Sequence, residues 1–162
     1  MEKLGQYHRM ATVIGYGMIG ILLVFTAVAE TMKAMNHETR GLLPSSTLEI
    51  LRYLFLGVTL GEFFMIRIVK KMVLSGGGRI STLSNRGDPL LAMVQKLLTA
   101  AIITFAFCES VGIYGLVLFM IGGSSFDFYL FIFLSLAFFA FYFPKYSEWE
   151  QWVNSNEYGR HK

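Results

Sequence analysis

Apolar residues fall into four long blocks along this chain, separated by short polar intervals. The first, "MATVIGYGMIGILLVFTAVA", runs from Met10 to Ala29 and is closed by Glu30 and Lys33. The second lies within Thr47 to Met72 and includes "LRYLFLGVTLGEFFMIRIVKK", where Arg52, Glu62 and Arg67 interrupt it. The third starts at Pro89 and continues to about Ile121, and from Leu97 to Phe126 its only charged side chain is Glu109. The fourth, "FYLFIFLSLAFFAFYF", stops at Pro144-Lys145. Each block is close to the roughly 20 apolar residues that carry a helix across a bilayer. The pattern predicts an all-α integral membrane protein, a single membrane domain over 1–162 with transmembrane helices at about 10–33, 47–72, 89–121 and 127–144. A tail over 145–162 follows, with Trp149 and Trp152 on nearly one helical side, as suits an interfacial segment.

Local signals support these bounds. Ser45 or Ser46 after Pro44 suits an N-cap for the second helix, and Pro89 is tolerated in the first turn of the third. Between them, "SGGGRISTLSNRGDP" reads as a hydrophilic connector. Its Gly76 to Gly78 have no Walker lysine after them and no strand before them, so a nucleotide loop is not expected. The first block competes with a signal peptide, since "AVA" at Ala27 to Ala29 resembles a cleavage site. Its length exceeds the roughly 7–15 residues of a signal core, and it is read as a retained helix.

Composition agrees with the block pattern. Hydrophobic residues make up 54% of the 162, and only 15% are charged, against about a quarter in soluble domains. The lone Cys108 excludes an internal disulfide or a CxxC pair. His8, His37 and His161 have no second ligand at helical spacing, so no metal site is expected. No nucleophile–base pair or nucleotide cradle is visible, so the chain is not expected to be an enzyme, and no nucleic-acid partner is expected. Basic residues cluster at Lys3 and Arg9, in the connector (Lys70, Lys71, Arg79, Arg86, Lys96) and in the tail (Lys145, Arg160, Lys162). Four crossings put all three groups on one side, opposite Lys33 and Arg40. The positive-inside rule then makes both termini cytoplasmic, as in a bacterial inner membrane.

Candidate chemistry centres on Glu109. A charged, unpaired carboxylate at midmembrane depth is costly, so such residues are functional by default, carrying a proton or holding a cation. The bland alternative is a protonated acid that only holds helices together. Ser110 supplies a hydroxyl beside it and Tyr114 a phenol further along, while Gly112 and Gly115 leave room for a neighbouring backbone. In the second helix Gly57 and Gly61 form a GxxxG packing pair, and Thr59 and Glu62 are its polar candidates. Intramembrane charges tend to pair, which makes Glu62 a prospective partner of Glu109.

The stretch "ESVGIYGLV", Glu109 to Val117, resembles the second helix of the rotor-ring c subunit of ATP synthase. The resemblance implies that the second and third helices form a c-subunit-like hairpin. On it, Glu109 falls at the ion-carrying carboxylate. Ser110 and Tyr114 fall where sodium-dependent members place a coordinating hydroxyl and an orienting tyrosine. No glutamine stands in the second helix to complete a sodium site, which leaves Thr59 or Glu62 for that place. Phe55, Phe63 and Phe64 crowd a helix that a ring needs to be slim, and extra helices flank the hairpin. The expected function is binding or translocation of H+ or Na+ in an oligomeric membrane complex, with no cofactor beyond that ion. The alternative is a non-transporting scaffold or accessory subunit.

The basic connector generates the first test. A Ser84→Cys variant in intact cells is expected to resist an impermeant thiol reagent added from outside. Efficient labelling from outside would overturn the assigned orientation.

Overall fold

The computed structural model describes residues 2–35, 44–74 and 89–158. Ser84, Gly76 to Gly78, His37, His161 and several of the basic residues behind the orientation, among them Arg40, Arg79 and Arg86, lie outside the described residues. Five helices follow in order: α1 (Glu2–Ala34), α2 (Ser45–Leu74), α3 (Pro89–Gly122), α4 (Ser125–Tyr142) and α5 (Tyr146–Tyr158). Among the described residues three stretches are long and apolar enough to cross a membrane: Glu2–Ala34, Leu91–Gly122 and Ser125–Tyr142. The second helix is not among them, because Arg52, Glu62 and Arg67 lie within its length.

α3 is the hub, packing against α1, α2, α4 and α5. Its own sequence explains this. Cys108, Val111, Gly112, Gly115, Leu118 and Phe119 recur at helical spacing and are buried, while Ser110 and Tyr114 lie on a face turned to α2. α1 presents Leu4, Ala11, Gly15, Leu22 and Ala29 on its buried side. It is helical well before Met10, and the buried Leu4 belongs to the packed core. The phenylalanines of α4 divide by face: Phe128, Phe131, Phe138 and Phe139 are buried, and Phe126, Phe133 and Phe141 are exposed.

Both ends of the bundle are held by polar contacts. At one end Arg52 of α2 pairs with Asp127 of α4: Nη2 donates to Oδ2 at 2.8 Å, and Nε lies 2.7 Å from Oδ1. Nearby, Tyr129 donates its hydroxyl to Glu30, which also pairs with Lys33 at 2.8 Å. At the other end Lys70 of α2 lies 3.6 Å from Glu148 of α5, and His8 Nε2 lies 3.1 Å from the Pro144 carbonyl oxygen. The His8 ring also meets Tyr146 and Trp149 edge-on. The α3–α4 corner is sharp because Gly123 takes φ 68°, a left-handed conformation that costs glycine little. Its N–H donates to the Phe119 carbonyl, and Ser124 then caps α4 by accepting from the Asp127 N–H.

Glycines separate tight from open surfaces. A Cβ at Gly115 would lie 2.7 Å from Phe131 Cβ and 3.0 Å from the Phe128 carbonyl oxygen, and one at Gly112 would meet Leu22 Cδ2 at 2.5 Å. Gly57 and Gly61 meet nothing within 4 Å and face outward. Between helices in lipid, close packing replaces the hydrophobic drive, so lost contact is felt directly. Gly115→Ala is expected to destabilise the bundle by about 1–3 kcal/mol through overpacking, and Gly57→Ala to leave it unchanged or slightly more stable. Reversible unfolding in mixed micelles measures both. Equal effects would show that α4 does not sit on this glycine.

Candidate functional site

The α2 face turned toward α3 carries Phe55, Thr59, Glu62 and Ile66, spaced to fall on one side of a helix. Glu62 is 8% exposed and Thr59 4%, so a carboxylate and a hydroxyl are shut inside an apolar contact. Across from them, α3 supplies Ser110 and Tyr114, one turn apart on the same face. Tyr114 Oη donates to Glu62 Oε1 at 2.6 Å, and Ser110 Oγ lies 3.0 Å from the same oxygen. The Tyr114 ring stacks on Phe55, with centroids 4.9 Å apart and planes 19° apart, which fixes the direction of its hydroxyl.

This arrangement accommodates either protonation state of the carboxyl. Ser110 Oγ is also 2.7 Å from the Phe107 carbonyl oxygen, and a hydroxyl has one proton to give. With Glu62 ionised, Ser110 and Tyr114 both point their protons at Oε1. With Glu62 neutral and its proton on Oε1, that proton goes to Ser110 Oγ, and Ser110 turns to its own helix at Phe107. The change needs a hydroxyl rotation and no movement of backbone.

Glu62 Oε2 and Thr59 Oγ1 are buried with no hydrogen-bond partner. Buried polar atoms are rarely left so, and a pair of them beside an acid is where a small hard ligand or a water would fit. The polar atoms on these facing surfaces are all oxygens, the donor type that hard ions take. Among the described residues no group of three or more His, Cys, Asp or Glu gathers to hold a metal ion.

The structure therefore brings together Glu62, Ser110 and Tyr114, with Thr59 one turn before Glu62 on the same buried face of α2. Glu109 lies elsewhere. It is half-buried, in the helical row of Ile102, Ala106 and Ile113, which are exposed. It shares no hydrogen bond with Glu62, Ser110 or Tyr114 among the described residues. Geometry accounts for this: at 100° per residue, Glu109 points about 140° away from Tyr114. Arg67 does not reach Glu62, and its guanidinium lies over the Phe63 ring, 5.1 Å from the centroid. Gly112 and Gly115 seat α1 and α4, whereas Gly57 and Gly61 are open.

In the sequence Phe55 reads only as bulk, although its place two turns before Glu62 on the same face was readable from spacing. Ser135 and Tyr142 were missed as well. Ser135 donates to the Cys108 carbonyl at 2.6 Å, fastening α4 to α3 just before Glu109. Tyr142 donates to the Phe63 carbonyl at 2.9 Å, fastening α4 to α2 just after Glu62. Nothing in the one-dimensional pattern pairs these residues across the bundle.

A multi-pass helical membrane protein with an acid enclosed between two of its helices is thus the class that fold and site define. Residues 74–121 match the family model of the ATP synthase C subunit, so this segment is c-subunit-like. The match takes in the last residue of α2, the connector and almost all of α3, including Glu109, Ser110 and Tyr114, and stops short of Glu62. No curated protein and no solved structure matches the chain.

Proposed function

We propose that this chain binds H+ or Na+ between α2 and α3 as a c-subunit-like component of an oligomeric membrane complex, without carrying out a covalent reaction itself. The observation that carries the reading is Glu62: enclosed, with two hydroxyls on Oε1 and nothing on Oε2. Glu62 and Thr59 hold the ion from α2, and Ser110 and Tyr114 hold the carboxylate from α3. Glu109, on the outward row of α3, is a second ion-carrying acid, placed to exchange with whatever covers that face.

In this reading α2 is a fourth span. Its two ends lie at opposite ends of the bundle, marked by Arg52 with Asp127 and by Lys70 with Glu148. Its charges are accommodated in place: Arg52 is paired, Glu62 is enclosed, and Arg67, Lys70 and Lys71 sit near one end where they reach the interface. With four crossings both termini lie on the cytoplasmic face, in this reading of a bacterial inner membrane, and the clustering of basic residues supports that side.

A second reading, a non-transporting accessory subunit, is favoured by one feature. α1 and α4 occupy the glycine faces of α3, with Leu22 over Gly112 and Phe131 and Phe128 over Gly115. An infrared pH titration of the purified protein, following the carbonyl band of a protonated carboxyl, separates the two. Ion handling predicts a band that disappears as pH rises, is lost in part in Glu62→Gln and in part in Glu109→Gln, and is displaced by Na+ if Na+ is the ion. A band untouched by Glu62→Gln, together with full cellular activity of both variants, would leave the carboxylates as structural and support the accessory reading.

A further inference from the structure

A cavity of about 190 Å³ lies apart from the carboxylate site, under α5. Leu74, Leu97, Ala100, Ala101 and Pro144 make apolar walls, with Trp149 and Trp152 on the α5 side. Its polar elements are concentrated at Lys70 and Glu148, a loose pair 3.6 Å apart whose side chains are 41% and 53% exposed. Two other polar groups in the wall are already engaged: Thr104 donates to the Ala100 carbonyl and Tyr142 to the Phe63 carbonyl. The interior thus has little to offer a polar ligand, while the mouth has a cation held at long range by an exposed acid.

We propose that this cavity takes a segment of one acyl chain of an anionic phospholipid, with the phosphate displacing Glu148 from Lys70. Three features select that occupant. The volume exceeds the roughly 150 Å³ of a dry cavity that holds benzene, enough for a run of methylenes. Indoles favour the headgroup level, where apolar and wet surfaces meet. Arg67, Lys71 and Lys145 stand near Lys70 in sequence or at the start of α5, which gives this end of the bundle the positive field that draws anionic headgroups. Free phosphate would use the mouth and leave the apolar interior empty.

The chain offers a direct reporter. Its two tryptophans are Trp149 and Trp152, and both line the cavity. The full-length protein is stripped of lipid in detergent and titrated with phosphatidylglycerol or phosphatidylcholine brominated in the acyl chain, and tryptophan quenching is followed. Phosphatidylglycerol is expected to quench saturably at a mole fraction where phosphatidylcholine quenches only in proportion to its bulk concentration. Lys70→Gln should move the midpoint to about fivefold higher lipid, the effect of one basic residue near a charged surface. Glu148→Gln should move it the other way, since it removes the competitor and leaves Lys70 in place. Opposite shifts from these two surface substitutions require no change in the fold. Equal quenching by both lipids would overturn the proposal, as would midpoints that do not move in opposite directions. Displacement of the lipid by millimolar sodium phosphate would also overturn it, marking the mouth as a phosphate site.

Discussion

Glu62 has been taken out of water with no cation paired to it among the described residues, and the α2–α3 contact is arranged around that cost. On insertion scales a charged residue at the centre of a span costs about 2.5–3.5 kcal/mol, and more in other treatments. A hydrogen bond to a charged group is worth about 1.5–3 kcal/mol. Two donors on Oε1, from Tyr114 and Ser110, are therefore of the size needed to keep the acid where it is. Remove both and what remains on that face of α2 is Phe55, Ile66 and the Thr59 hydroxyl.

Those donors are useful only if α3 is held at one rotation and one height. Its other faces provide this. Gly112 and Gly115 admit Leu22 and the α4 backbone closely, and Ser135 bonds the Cys108 carbonyl. Tyr142 then ties α4 to α2 beside Glu62, and Arg52 ties α2 to α4 at the far end. α1 and α4, which a two-helix hairpin would lack, brace the α2–α3 contact from outside. The packing that makes α3 a hub is in this sense a support for the hydroxyls it carries.

Much of this was legible in the sequence. Block length and polarity were enough for an all-helical membrane protein, for the long third helix and for the turn at Gly122 to Asp127. Ser110 and Tyr114 stood out because they follow Glu109 within the "ESVGIYGLV" run that resembles a c subunit. Their partner was less legible. Adjacency in sequence joined them to Glu109, yet neighbouring residues on a helix point about 100° apart, and only positions three or four apart share a face. The spacing of Phe55, Thr59 and Glu62 on α2 held the matching face, but the relative rotation of two helices is set by glycines and bulky residues on both, and a linear pattern does not encode it. The α5 contacts were similarly hidden. An amphipathic tail with two tryptophans could be read, while its docking beneath Pro144 and His8 depends on where α1 ends up.

Glu62 and Tyr114 act as one unit across the α2–α3 contact, and on that unit the proposed ion site depends. A double-mutant cycle of Glu62→Gln and Tyr114→Phe, measured by reversible unfolding in mixed micelles, tests it most directly. A coupling of about 1 kcal/mol or more is expected between these two, as residues sharing a hydrogen bond show. Glu109→Gln with Tyr114→Phe is expected to be additive within about 0.5 kcal/mol. Additivity at Glu62 together with coupling at Glu109 would contradict the shared unit.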